Sequence, residues 1–291
     1  MFSNIEIPVL ENVRLEPHPT ARSKAVSRCY LSPGSTIVLI PALSTILLPS
    51  EKGRRCDSCH LVQRRDRPLR RCSACAAYWY CSAKCEARGG SDSMSSPSSS
   101  RCLLGQLFQW KAHHKKICKV YNQFVTSTGY QALAPHERLD AILLSHLVAE
   151  VYQASDQVAR DDFSTFLSLI SHSTPGISAP PMCPIDTPPY VTRSAIDELY
   201  SRFGNNNFAI HSHLTSIAHG IFPLASRLFN HSCAPNAAAK YILAPSQAVH
   251  MQVIALSPIS KGEEVCLSWP SPIAQESHPM DRYAYLTLIP P

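Results

Sequence analysis

Charge is scarce in this 291-residue chain: Asp, Glu, Lys and Arg make up 16% of it, against 45% apolar residues. That balance fits a globular protein with a real core, and the length has room for one large domain and a smaller one. Residues 1–15 lack a basic start followed by an apolar stretch, so no secretory leader is expected. The most apolar stretch, residues 36–48, is too short to span a bilayer and contains Pro41, so no membrane partner is expected. No internal repeat is present. A soluble, intracellular protein is the expectation, and in a reducing compartment clustered cysteines read as metal ligands rather than disulfides. The formal charge is +6 with cysteines counted as neutral. Two zinc ions held by seven thiolates would bring it to roughly +3, so global charge is weak support for binding nucleic acid.

Proline is abundant, at 24 residues, which points to loops and short strands. Ser32-Pro33-Gly34-Ser35 reads as a turn, and the β-branched run after it as two short strands around Pro41. Residues 51–118 form a cysteine-rich module, within which the serine run at 89–100 cannot bury enough apolar surface to fold. Leu139, Ile142, Leu143, Leu147 and Val151 recur at helical spacing and predict an amphipathic helix over about 136–153. A second helix is expected after Asp156, with Phe163, Phe166, Leu167 and Ile170 facing inward, then a proline-rich loop at 175–189. Thr192 can cap a third helix carrying Ile196, Leu199 and Phe203, with Gly204 as its stop. Strands are expected at 249–256 and 265–269. The fold class is α+β, a β-rich domain interrupted by the finger and the helices. The expected division is 1–50, a finger at 51–120 with an insert at 86–109, a helical insert at 121–204, and 205–291.

Cys56-x2-Cys59, Cys72-x2-Cys75, Cys81-x3-Cys85 and His114-x3-Cys118 supply eight soft or borderline ligands in short pairs, enough for two closed tetrahedral zinc sites. Closed sites are structural; a catalytic zinc keeps a position open for water. Spacing alone permits sequential pairing, and it leaves His113 and Cys102 as rival ligands, with His114-x3-Cys118 the better helical geometry. The segments Tyr80-Cys81-Ser82-Ala83-Lys84-Cys85 and Trp110-Lys111-Ala112-His113-His114 resemble the second half of a MYND finger. That resemblance implies interleaved sites, Cys56, Cys59, Cys81 and Cys85 on one zinc and Cys72, Cys75, His114 and Cys118 on the other. Residues 86–113 are longer than the family's short helical turn, so the serine-rich part is expected to loop out and 103–114 to resume the helix. Lys52, Arg54, Arg55, Arg64, Arg65, Arg67, Arg70 and Arg71 make the finger basic, which suits either phosphate contact or a solubilising face.

Further on, Gly220-Ile221-Phe222-Pro223 leads to Asn230-His231-Ser232-Cys233-Ala234-Pro235-Asn236, which resembles the core motif of SET domains. Asn206-Asn207-Phe208-Ala209-Ile210 resembles the segment before that motif, and Gly262-Glu263-Glu264-Val265-Cys266-Leu267-Ser268-Trp269 the closing strand. Together with the finger these resemble the SET-MYND family over about residues 20–285. The resemblance implies a protein-lysine (histone) N-methyltransferase using S-adenosyl-L-methionine. Asn230 and His231 would hold that cofactor, and Asn206 or Asn207 would contact its amino-acid end. The implied partner is a histone or another lysine-bearing protein. Three departures stand out. Trp269 occupies the position of the family's lysine-orienting tyrosine, and indole donates a hydrogen bond but accepts none. Arg22-Ser23-Lys24 replaces a Gly-x-Gly cofactor loop, putting side chains where backbone approaches the ligand. Asp281-Arg282-Tyr283-Ala284-Tyr285-Leu286 resembles the entry to a cysteine-rich tail, so a truncated form is expected. Two other readings fit the same residues: a degenerate SET scaffold whose finger binds partners such as proline-rich peptides, and a basic finger that tethers the chain to DNA.

Overall fold

The structure is a computed structural model, and it describes residues 10–19, 21, 23–82, 85, 110–151, 163–171, 178–187, 189 and 191–268. A hairpin of β1 (Val13–Glu16) and β2 (Lys24–Ser27) comes first. In the turn that follows, Ser35 N donates to the Ser32 carbonyl at 3.1 Å. Gly34 there sits at φ 81°, a left-handed conformation that costs glycine nothing sterically. The apolar run after it forms β3 (Thr36–Pro41) and β4 (Ser44–Leu47), in two different sheets. Pro41 has no N–H with which to extend the first ladder. Past it, Ala42 N bonds the Val249 carbonyl and Leu43 N the Ile221 carbonyl, at 2.9 and 2.8 Å, and the chain changes sheets.

The finger contributes the small antiparallel pair β5 (Arg70–Arg71) and β6 (Trp79–Tyr80). Helices α1 (Trp110–Ile117), α2 (Tyr121–Val125), α3 (Thr128–Gln131) and α4 (Pro135–Val151) follow. The serine run and the start expected for α1 at 103 lie outside the described residues. In α4, every residue from 141 to 150 is buried, so its second half is wrapped rather than amphipathic. The reason is that its polar residues are engaged on several sides. Ser145 Oγ donates to its own Ala141 carbonyl at 2.6 Å and accepts from Cys183 N of the proline-rich loop at 2.9 Å, while His146 meets the finger and β4. Residues 163–167 are helical and bury Phe166, but Ile170 is 71% exposed, contrary to the periodic reading. The helix has ended by then, and the period with it. Thr192 caps α5 (Arg193–Tyr200) by accepting from Ala195 N at 3.3 Å. Gly204 does not stop that helix: α5 ends at Tyr200, and Gly204 lies inside the next helical turn, α6 (Phe203–Asn206).

β7 (Asn207–Ser212) and β8 (Thr215–Ile221) form a hairpin whose second strand also pairs with β4. α7 (Pro223–Leu228) starts on a proline, whose missing N–H has no helical partner at that position in any case. After it come β9 (Asn230–His231), β10 (Ala237–Ile242), β11 (His250–Ala255) and β12 (Cys266–Leu267). β10, β11 and β3 make the second sheet, while β12 runs parallel to β9 and is shorter than the strand expected over 265–269. The architecture is α+β, strands interrupted by the finger and helices.

β4 separates the two cores. Successive strand side chains point to opposite faces; Leu47 belongs to the core that holds Phe222, Ile210 and Val253, and Ile46 to the core that holds the finger cysteines and α4. Among the described residues, no helix is long and apolar enough to cross a membrane.

The glycine of the Gly220-x-x-Pro223 pattern has a steric reason. A Cβ there would lie 2.9 Å from Ile210 Cδ1, 3.0 Å from Thr45 Cγ2 and 3.1 Å from Phe222 Cε2. Gly220→Ala is therefore expected to destabilise the domain by about 1–3 kcal/mol through overpacking. Urea unfolding checks this, and a midpoint equal to wild type would show that the strands yield without cost.

Candidate functional site

The finger's two Cys-x2-Cys pairs share one turn geometry. His60 N closes on the Cys56 carbonyl at 2.9 Å and Ala76 N on the Cys72 carbonyl at 3.0 Å. The residue after each pair takes a left-handed φ, 58° at His60 and 54° at Ala76. His114 and Cys118 lie one turn apart at the end of α1, with Cys118 N on the His114 carbonyl at 2.8 Å. The eight side chains gather in two groups of four whose ligand atoms lie within 4.8 Å of one another: Cys56, Cys59, Cys81 and Cys85, and Cys72, Cys75, His114 and Cys118. The grouping is interleaved rather than sequential. Cys102 and the His113 side chain lie outside the described residues.

The donor set fits zinc. Cys81 Sγ lies 3.6 Å from both Cys59 Sγ and Cys85 Sγ. In the second group Cys72 and Cys118 are 3.7 Å apart, and His114 Nε2 is 3.4 Å from Cys72 and 3.9 Å from Cys75. A tetrahedron with zinc–sulfur bonds of about 2.3 Å has sulfur–sulfur edges of about 3.8 Å. A disulfide would need about 2.05 Å, and all seven cysteines are free. Without metal the two groups are electrostatically uneasy. Hydrogen bonds from the Cys56 and Cys59 thiols hold Cys85 far below the usual thiol range, and burial pushes Cys118 up to about 12.

The finger is docked through a buried relay. His146 Nδ1 lies 3.3 Å from the Thr45 carbonyl, which can only accept, so Nδ1 carries the proton. Nε2 pairs with the Tyr78 hydroxyl at 2.8 Å. The Tyr78 ring in turn lies 4.2 Å from that of His114, joining the second metal group to α4 and β4. The finger's basic residues are partly engaged. Lys52 faces Asp57, Arg55 and Arg54 face Glu51, and Arg71 Nε donates to the Ala76 carbonyl at 2.5 Å. Arg64, Arg65 and Arg70 are exposed, whereas Arg67 is half-buried and donates to the Val62 carbonyl at 3.3 Å.

Residues 230–236 and 264–267 are knotted together. β9 and β12 pair in parallel, Ser232 N bonds the Leu267 carbonyl at 2.9 Å, and Asn236 grips the closing segment through Cys266 N at 2.9 Å and the Glu264 carbonyl at 2.8 Å. The Asn230 amide nitrogen donates to the Ser23 carbonyl at 2.9 Å and to Glu264 Oε1 at 2.8 Å, so its donors are engaged within the protein. His231 is exposed, with Nε2 3.3 Å from Cys233 Sγ. Asn206 is buried, and its amide donates to the Arg202 carbonyl at 2.7 Å and the Ile170 carbonyl at 3.3 Å. The Asn207 amide nitrogen pairs with His219 Nδ1 at 3.3 Å, while its Oδ1 is buried with no hydrogen-bond partner among the described residues. Arg22 and Trp269 lie outside the described residues.

Sequence reasoning did not single out Tyr241. Its ring lies 5.7 Å from Phe222, which lies 5.8 Å from Phe208, and burial pushes its phenol well up. Alternation along Ala237, Ala239 and Tyr241 could have placed it on the core face.

A family model described as a SET domain matches residues 25–269. The chain is 24% identical over 249 residues to N-lysine methyltransferase SMYD2-B of Danio rerio, covering 85% of this chain and 51% of the relative. It is 27% identical over 234 residues to Histone-lysine N-methyltransferase ASHR1 of Arabidopsis thaliana, covering 74% of this chain and 40% of the relative. The chain thus spans about half the length, or less, of these curated relatives. A crystal structure of the SET domain of LSMT bound to lysine and AdoHcy aligns with a TM-score of 0.30 at 12% identity, over 93% of this chain and 50% of that one.

Proposed function

The chain belongs to the SET domain family, interrupted by a cysteine-rich finger as in SET-MYND proteins, and from that premise we propose that it methylates lysine side chains of proteins, with two structural zinc ions in the finger. The observation that carries this is the knot in which Asn236 pins residues 264–266 against the Asn230-His231 segment. S-adenosylmethionine, when bound, supplies an electrophilic methyl group on a sulfonium. The SET-MYND resemblance gives the amino-acid end of that cofactor to Asn206 or Asn207, and Asn207 Oδ1 has no hydrogen-bond partner among the described residues. Asn206, with its nitrogen tied to Arg202 and Ile170, has only its oxygen to offer. The same holds for the side chain of Asn230, whose nitrogen is tied to Ser23 and Glu264. His231 is exposed and accessible to a ligand. Phe208, Phe222 and Tyr241 pack as one aromatic group in the core, and desolvation by such a surface would favour the neutral lysine that displacement requires. The substrate in this reading is a histone or another lysine-bearing protein. Isothermal titration of the zinc-loaded protein with S-adenosylmethionine should show saturable binding of one equivalent, weakened by Asn207→Ala; absence of heat with folded protein would overturn the reading.

One observation favours a binding scaffold instead. The Ser23 carbonyl is held by Asn230 and its hydroxyl by Arg227, which fixes the loop at the position where a cofactor loop is expected. No comparable observation among the described residues favours DNA: Lys52 and Arg55 face carboxylates within the finger, and the exposed Arg64, Arg65 and Arg70 suit a solubilising face equally well.

A further inference from the structure

The loop between β10 and β11 reaches the first metal group. Ser246 Oγ lies 3.8 Å from Cys85 Sγ and 3.2 Å from Ser82 Oγ, across more than 160 residues of sequence. Ser82 Oγ accepts from Cys85 N at 3.1 Å. A metal-bound thiolate is an acceptor only, and each hydroxyl has one hydrogen to give. With Cys85 on a metal, these contacts close a ring: the Cys85 N–H donates to Ser82, the Ser82 hydroxyl to Ser246, and the Ser246 hydroxyl to the Cys85 sulfur. Ser246 is half-buried and holds φ 56°, a conformation that few non-glycine residues adopt. That backbone setting belongs to the loop that delivers the hydroxyl to the cluster.

We infer that Ser246 is the hydrogen-bond donor to the Cys85 thiolate through which the sheet of β10, β11 and β3 holds the finger's first metal. The inference rests on the two-zinc reading. It makes the two groups unequal: the second is braced by α4 through Tyr78 and His146, the first by a strand connection of the SET core. Hydrogen bonds to ligating atoms orient them and tune their basicity, and losing one typically costs about 10–100-fold in metal affinity.

Two substitutions separate the hydroxyl from the backbone. Ser246→Gly removes the donor while suiting the left-handed φ, so fold and loop are retained. Ser246→Asn also tolerates that φ and brings an amide donor. Mixed with a chromogenic chelator, Ser246→Gly is expected to release one of its two zinc equivalents about 10-fold faster than wild type, and Ser246→Asn near the wild-type rate. In cobalt-substituted protein the sulfur-to-cobalt charge-transfer band of the four-cysteine site should shift in Ser246→Gly, with the Cys3His bands unmoved. Two zinc ions per chain together with unchanged release and an unchanged band in Ser246→Gly would overturn the inference and leave the zinc reading standing. Wild type holding fewer than two zinc ions overturns the zinc reading, and the inference with it.

Discussion

Stripping zinc from the purified protein is expected to unfold the finger and to loosen the helices packed on it. Structural zinc in small fingers contributes about 10–16 kcal/mol apparent, more than a core made largely of its own ligands can replace. The effect should not stop at the finger. Cys56, Cys59, Cys72, Cys75, Cys81 and Cys85 share one apolar cluster with Leu143, Leu144 and Leu147 of α4, and the Tyr78–His146 hydrogen bond crosses the same boundary. Elemental analysis should return two zinc ions per chain, and far-ultraviolet circular dichroism should show helix lost with the metal. His114→Ala should lose one zinc, and His113→Ala neither. One zinc or none in wild type would sink the two-site reading; full helicity in the chelated protein would show that α4 stands without the finger.

Trp269→Tyr should raise methylation of a mixed histone substrate by about 10²–10³, the usual worth of one positioned hydrogen-bonding group at a transition state. Trp269 follows two residues after Leu267, which β12 places beside His231. The SET-MYND resemblance assigns this position to a lysine-orienting tyrosine, and an indole N–H cannot accept a hydrogen bond as a phenol can. Affinity for S-adenosylmethionine should change little, because the gain lies in orienting lysine. Wild type that already methylates well would mean that another group orients the lysine. A folded variant that binds cofactor and gains nothing would remove the tyrosine argument altogether.

Much of this was legible in the residues, for reasons that differ from place to place. Cys-x2-Cys spacings and the Thr192 cap are local chemistry, and local chemistry shows in sequence. The start of α4 was legible from its apolar period, but the burial of residues 141–150 on every side was not, because the finger, the proline-rich loop and β4 that cover it come from distant segments. Ile170 and Gly204 went astray because a helix ended a few residues earlier than periodicity or a glycine suggests. The engagement of Asn230 by Ser23 and Glu264, and the reach of Ser246 to Cys85, join residues that no spacing rule connects.

The pairing of β3 with β11 has a consequence for biosynthesis. Thr36 and Gln252, whose side chains bond across that ladder, are 216 residues apart. During synthesis Ile37, Val38, Leu39 and Ile40 emerge long before their partner strand exists, as an unpaired apolar edge of the kind that aggregates. Closing a loop of that length costs entropy before any contact repays it. A finger and helices that condense first shorten the effective loop, since folded segments no longer contribute freedom to it. Zinc supply during translation would then govern not only the finger but the yield of correctly closed sheet, and chaperone demand should fall most heavily on the interval before residue 255 leaves the ribosome.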